Sequence, residues 1–232
     1  GIEQYPTLLR AILEENAYVD KPFIVVLTPG RFNSAYYEHA FLAREMDVPL
    51  VTSRDLFVEN DKVFAKTIRG RQQVDVIYRR VDDEFLDPLV FRADSTLGVA
   101  GLMSAYLQNN VVIANAPGTG VADDKSIYPY VDQMIQYYLG ETPILSNVPT
   151  YQCRDSEQLD YVLNNLEKLV VKEAQGSGGY GMLIGPQADQ QQIEQFRQKI
   201  MQTPHLYIAQ PTLALSVAPT LTTDGVAERH ID

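Results

Sequence analysis

LVVKEAQGSGGYGMLIG (residues 169–185) holds a letter-for-letter match to G-x-G-x-x-G between Gly176 and Gly181. A dinucleotide loop of that form must open directly into a helix, whose N-terminus holds the pyrophosphate. Met182, Leu183, Ile184 and Gly185 follow instead, an extended and apolar run. Residues 189–202 read as helix where that motif would place an acidic residue capping a second strand. The stretch therefore reads as strand, glycine turn, strand: a hairpin whose turn can lie over a ligand. Glycines allow positive φ and a close backbone approach to phosphate oxygens. Ser177 adds a hydroxyl donor, and Lys172 stands four residues before the loop, near the end of its strand. An ammonium there reaches the phosphates the loop covers, a charge-assisted bond contributing about 1.5–3 kcal/mol. The candidate phosphate residues are Lys172, Gly176, Ser177, Gly178, Gly179 and Gly181. The alternatives are a glycine hairpin with no ligand and a lysine snorkelling from an edge. The Walker A ending Gly-Lys-Ser/Thr is absent.

Outward from this hairpin, apolar runs and turn signals alternate. Residues 22–28, PFIVVLT, and 111–116, VVIANA, are continuous and β-branched, as strands buried on both faces are. VDVIYRR (74–80) reads as a third core strand and PLVT (49–52) as a short one. KVFAKT (62–67) with RGRQQ reads as a small hairpin. Helical patterns cover residues 6–16, 34–46, 95–110 and 122–140. Leu8, Leu9, Ile12 and Leu13 share one face of the first, and Ser34 is a candidate N-cap of the second. Beyond Val121 the order is helix, strand, hairpin, helix, strand (206–211). The expected class is α/β, an open and mostly parallel sheet over residues 1–121, then an α+β subdomain over 122–232.

Composition narrows the function. Thirty acidic against nineteen basic residues give a net charge of −11, with Lys and Arg dispersed. That argues against a nucleic-acid partner, which needs a basic patch, but not against a small anion. The single cysteine, Cys153, excludes an internal disulfide and a Cys-type zinc site and reads as a passive small residue. No apolar run approaches a membrane span, and the first residues lack a signal-peptide pattern. The expectation is a cytoplasmic protein with no membrane partner.

Two further clusters are candidates for a substrate. Arg31, Asn33 and Ser34 follow the first core strand at a helix start, an anion-binding geometry whose alternative is plain capping. Arg79, Arg80, Asp82 and Asp83 follow a core strand, where open α/β sheets bind ligands. Alternation puts Arg79 and Arg80 on opposite faces, so at most one faces a given site. The fork of an Arg suits a carboxylate, and the alternative is a local ion-pair cluster. His39, His205 and His230 lack metal spacing, and His39 reads as a packed helix residue.

The longer phrases LTPGRFNSAYYEHAFLAREM (27–46), VDVIYRRVDDEFLDPLVF (74–91), NAPGTGVADDK (115–125) and KEAQGSGGYGMLIGP (172–186) resemble a known family. It is the circularly permuted ATP-grasp family often labelled glutathionylspermidine synthase-like, and the resemblance covers nearly the whole chain. It implies a pre-ATP-grasp domain followed by a nucleotide subdomain, with Mg·ATP as cofactor. Lys125 in ADDKSIYPYV and Lys172 would be the two phosphate lysines, residues 176–181 the phosphate lid, and YIAQPT the adenine linker. Many members carry an acidic residue in that linker where this chain has Gln210. On the residues alone, Lys125 could equally be a solvated side chain in a helix's first turn. The implied activity is ATP-dependent ligation of a small-molecule carboxylate to an amine. The resemblance places the Mg2+ ligands outside this chain, so no residue here is a metal ligand and the chain is expected to be an inactive fragment. The rival readings are a non-catalytic nucleotide-binding or interaction module and, already disfavoured by the loop, a nicotinamide oxidoreductase.

Overall fold

A computed structural model describes residues 2–176 and 181–230. The chain divides into two compact units, Gly1–Gly120 and Val121–Asp232.

In the first unit α1 (Tyr5–Glu15) precedes β1 (Ile24–Leu27), α2 (Tyr36–Glu45) and β2 (Leu50–Val51). A meander follows, β3 (Leu56–Glu59), β4 (Lys62–Thr67) and β5 (Gly70–Gln73), then β6 (Val76–Arg79), α3 (Leu102–Leu107) and β7 (Val112–Ala114). The strands β2-β1-β6-β7 form one sheet in which every pair is parallel. All four residues of β1 and of β6 are buried, because both faces are covered. Ile24, Val26, Val76 and Tyr78 face Leu13 of α1 and Ala43 and Met46 of α2. Val25, Leu27 and Ile77 face the meander and α3.

Three local readings are corrected. Of the four apolar residues expected on one face of α1, Leu13 is buried and Leu9 partly so, while Leu8 and Ile12 are exposed. Helix 95–110 shrinks to α3. A Cβ at Gly98 would lie 2.0 Å from the Phe85 carbonyl oxygen, and Gly101 takes φ +82 as the N-cap. Two glycines that looked tolerable inside a helix are there for close approach and for a left-handed turn. Third, β3 was not anticipated, although Asn60 and Asp61 (φ 50 and 55) form the two-residue turn that joins it to β4.

The second unit contains α4 (Val131–Leu139), β8 (Tyr151–Gln152), α5 (Ser156–Asn164), β9 (Leu169–Glu173) and β10 (Leu183–Ile184). After these come α6 (Gln190–Gln202), β11 (Tyr207–Pro211), β12 (Val217–Thr222) and β13 (Gly225–His230). The sheet β10-β9-β11-β8 is antiparallel, and β12 and β13 form a separate exposed hairpin. Helix α6 begins in a capping box, with Gln192 N donating to Asp189 Oδ1 at 2.8 Å and Asp189 N to Gln192 Oε1 at 2.9 Å. Its Ile193 and Ile200 pack with Val162 of α5 on Leu169, Val171, Leu183, Tyr207 and Ala209. Gly185 lets the chain leave β10 past the first strand: a Cβ there would sit 1.9 Å from the Leu166 oxygen and 2.8 Å from that of Leu169. Backbone cannot yield as a side chain does, so Gly185→Ala is expected to cost about 3 kcal/mol. A urea midpoint unchanged by this substitution would contradict the packing described.

Candidate nucleotide and substrate sites

Alternation in the second sheet sends Leu169, Val171, Leu183, Tyr207 and Ala209 to the helices. Val170, Lys172, Ile184, Ile208 and Gln210 therefore share the opposite face. The register sets Lys172 beside Ile208, and Val170 beside both Gln210 and Ile184. Across this apolar floor runs a polar chain. Lys172 Nζ donates to Gln210 Oε1 at 2.9 Å, and Gln210 Nε2 donates to Thr150 Oγ1 at 2.9 Å. Gln210 is thus engaged through both ends of its amide, and it positions the lysine from the neighbouring strand.

Lys125 was expected in a helix. It lies instead in an irregular segment between the short 3-10 turns Thr119–Ala122 and Tyr128–Tyr130. Asp123 and Asp124 do not cap a helix; Asp124 Oδ1 accepts from Ser126 N and Oγ at 2.8 and 2.6 Å. Those bonds, chiefly the Ser126 hydroxyl, hold the Asp124 carboxyl below its ordinary pKa. The segment is stapled to the end of β9. Lys125 N donates to Ala174 O at 2.9 Å, Lys125 Nζ to Gly176 O, and Gln175 Nε2 to Asp124 Oδ2 at 3.3 Å. Lys125 is therefore anchored two residues beyond Lys172, at the start of the glycine loop. Strands β9 and β10 pair antiparallel around that loop, as the hairpin reading expected. Ser177, Gly178 and Gly179 lie outside the described residues. At Gly181, φ is +66 and a Cβ would come within 2.7 Å of the Glu173 carboxyl. At Gly176 it would meet Glu173 Cβ at 3.1 Å. At both margins the space beside the glycine is taken by Glu173, and the left-handed φ of Gly181 disfavours a side chain there.

In the first unit the two arginines separate sharply. Arg79 is 7% exposed and committed to the fold. It donates to Asn115 O at 2.6 Å, Val81 O at 2.7 Å, Asp83 Oδ1 at 2.5 Å and Ala116 O at 3.1 Å. Asp83 also accepts from Gly118 N at 3.3 Å. The expectation that Arg79 and Asp83 meet a substrate is corrected: their polar atoms already tie β6 to the loop after β7. Asp82 is exposed and makes no capping bond. Asn33 Oδ1 accepts from Ala35 N at 2.9 Å, which closes the turn before α2 and leaves Ser34 without a capping role. Arg31 is exposed, its guanidinium 4.9 Å from the Phe32 ring centroid. Arg80 alone of the arginine–aspartate group has a half-buried side chain with no hydrogen bond or ion pair among the described residues.

Cys153 is 1% exposed, and burial pushes its thiol up to about 12. At about pH 8, iodoacetamide should therefore leave the folded chain unmodified and alkylate it only after unfolding; rapid alkylation of the native chain would contradict this. Among the described residues no group of three or more His, Cys, Asp or Glu side chains is placed to hold a metal ion. No helix among them is long and apolar enough to cross a membrane.

The sequence profile of the family described as circularly permuted ATP-grasp type 2 matches residues 1–232. A Synechocystis protein, "Uncharacterized protein sll0335", is 54% identical over 233 residues, covering 100% of this chain and 48% of its own length. A Mycobacterium tuberculosis protein, "Uncharacterized protein Rv2411c", is 48% identical over 234 residues, covering 100% and 42%. A Frankia alni protein, provisionally named glutamate–cysteine ligase 2-3, is 46% identical over 204 residues, covering 88% and 24%. The chain thus spans half or less of the length of these curated relatives. With all of residues 1–232 matched, the chain belongs to the circularly permuted ATP-grasp type 2 family.

Proposed function

We propose that this chain forms the nucleotide-binding part of an ATP-dependent carboxylate–amine ligase. The observation that carries the reading is that Lys125, 47 residues before Lys172 by number, is anchored through Ala174 O and Gly176 O to the end of the strand that bears Lys172, where the glycine loop begins. Residues 1–120 would then be the pre-ATP-grasp domain and 121–232 the nucleotide subdomain. ATP, when bound, supplies the phosphoryl group that activates a carboxylate for attack by an amine, with release of ADP and phosphate. The chain's own part is electrostatic. Lys172 and Lys125 would present fixed positive charge toward oxygens on which charge builds. Val170 and Ile184, both half-buried, offer an apolar floor for a base. Gln210, set by Thr150, holds Lys172 in place.

The carboxylates for magnesium are proposed to come from the longer protein, as are the activity and the substrates. Glutathione with a polyamine, from the subfamily resemblance, and glutamate with cysteine, from the Frankia relative's name, are the first pairs to assay. The test is ADP release by a protein extended to the relatives' length. Release that requires both a carboxylate and an amine supports the ligase. Nucleotide binding without release under any pairing supports the second reading, a binding module that keeps the fold without chemistry.

A further inference from the structure

The sheet face that α1 and α2 cover ends in polar groups that the nucleotide reading does not use. Alternation carries Val26 and Tyr78 to that face, and the next positions of the same parity are Thr28 and Arg80. The parallel register, Leu27 beside Arg79, and the bond from Arg80 N to Leu27 O at 2.8 Å set Thr28 and Arg80 side by side. They stand just beyond the carboxyl ends of two central strands, where open parallel sheets leave a crevice for ligands. His39 reaches the same place from α2. It is 2% exposed, with Nδ1 2.8 Å from Thr28 Oγ1.

The proton on this pair can be assigned. Thr28 is 1% exposed, and its Oγ1 already accepts from Gly30 N at 3.2 Å. Its own hydrogen then has His39 Nδ1 as acceptor, since the opposite arrangement would bury a hydroxyl donor without a partner. A hydroxyl donating to Nδ1 leaves the imidazole proton on Nε2. Burial, and then the charge of Arg80, keep the His39 pKa below its ordinary value, against a weaker opposing pull from Glu38. The ring is therefore neutral at pH 7 and has one N–H to offer. Nε2 makes no hydrogen bond among the described residues, and it is not among the fully enclosed unpaired atoms. The Arg80 guanidinium is equally without a partner there. Its charge is felt by the Tyr5 hydroxyl and by His39, and the acidic group that also acts on His39, Glu38, forms no ion pair with Arg80 among the described residues. A half-buried guanidinium beside a neutral N–H donor forms a site for an anion, and the planar fork matches a carboxylate.

We propose that Arg80 and the Nε2–H of His39, oriented by Thr28, bind a carboxylate group of an amino-acid or peptide substrate. This rests on the ligase reading and specifies where the first unit meets its substrate. The experiment is a titration of the whole chain with L-glutamate, and separately with inorganic phosphate, in the absence of nucleotide. It follows the His39 ring signals by nitrogen–proton correlation, which His39→Gln assigns among only three histidines.

L-Glutamate is expected to shift these signals saturably at millimolar concentration, and Arg80→Ala to weaken the response at least about tenfold. Arg80→Lys, which keeps the charge without the fork, should fall between. Thr28→Val should broaden or move the ring signals before any ligand is added, because it releases the tautomer. Thermal melts of Arg80→Ala and Arg80→Lys separate lost binding from lost fold, and should the alanine variant melt early, the lysine variant decides. No shift with glutamate up to about 100 mM, or phosphate binding as tightly as glutamate, overturns the assignment. Because nucleotide is absent, such a failure leaves Lys172-dependent ADP release untouched. A failure of ADP release leaves the glutamate titration equally readable.

Discussion

Lys172→Ala is expected to weaken Mg·ATP binding at least about tenfold and to lower kcat/KM for ADP release by about 100-fold or more, with the fold intact. The first figure is the loss of one charge-assisted bond to phosphate. The second follows because charge grows on the transferring group, so a fixed cation is worth more there than in the ground state. The fold survives because Lys172 points away from the core formed by Leu169, Val171 and the helices α5 and α6. Gln210 keeps its bond to Thr150 when the lysine is gone. Calorimetric titration of nucleotide checks the binding, ADP-release kinetics of the same variant in a protein extended to the relatives' length check the rate, and urea unfolding checks the fold. Unchanged ATP affinity in a folded Lys172→Ala protein would remove the nucleotide reading and leave only the fold. Loss of affinity accompanied by a large loss of stability would instead mean that the lysine is part of the sheet's structure.

Asp87→Ala should cost about 4 kcal/mol, a large share of the roughly 5–15 kcal/mol by which a domain is stable. Asp87 is fully buried. Its carboxylate accepts from Leu89 N at 2.9 Å, Gly101 N at 3.1 Å and Met103 N at 2.9 Å. Helix α3 has six residues and begins at Gly101, which has no side chain to cap it. Asp87 performs that capping from fourteen positions away, and its charge sits at the positive end of the helix. Alanine would remove the partner of three backbone donors, the Met103 N–H buried and those of Leu89 and Gly101 partly so. Asparagine would keep one acceptor oxygen and set an N–H2 against the others, so Asp87→Asn should fall between. The urea midpoint of the first unit's unfolding measures the effect, and a cost below about 1 kcal/mol would show that water or a rearranged loop replaces the carboxylate.

Much of the architecture is local in origin. The β-branched runs at residues 24–27, 76–79 and 112–114 mark strands buried on both faces, because no polar alternation interrupts them. Asp189 with Gln192 marks the start of α6, and the apolar residues after the glycine loop mark a hairpin, since a helix would need a different pattern there. The order of Lys125, Lys172 and the glycines is likewise written in the chain. The misread elements are those whose form depends on distant partners. Gly98 and Gly101 end a helical pattern because the backbone of residues 85–87 occupies the space and supplies the cap. The exposed hairpin β12–β13 was missed because Val217 to Thr222 buries no face and shows no strand alternation.

The site divides along the same line. Residue type and order by themselves determined that a glycine hairpin preceded by a lysine and an arginine-bearing strand end exist in one α/β chain. Only the tertiary structure decided how those groups are used. Asn115 and Ala116 accept from Arg79 from 36 and 37 residues away, while its neighbour Arg80, one step along the pleat, has no hydrogen bond or ion pair from its side chain among the described residues. Adjacent residues of identical chemistry were assigned opposite roles because successive side chains on a strand enter different environments, and those environments are built from segments far away in sequence.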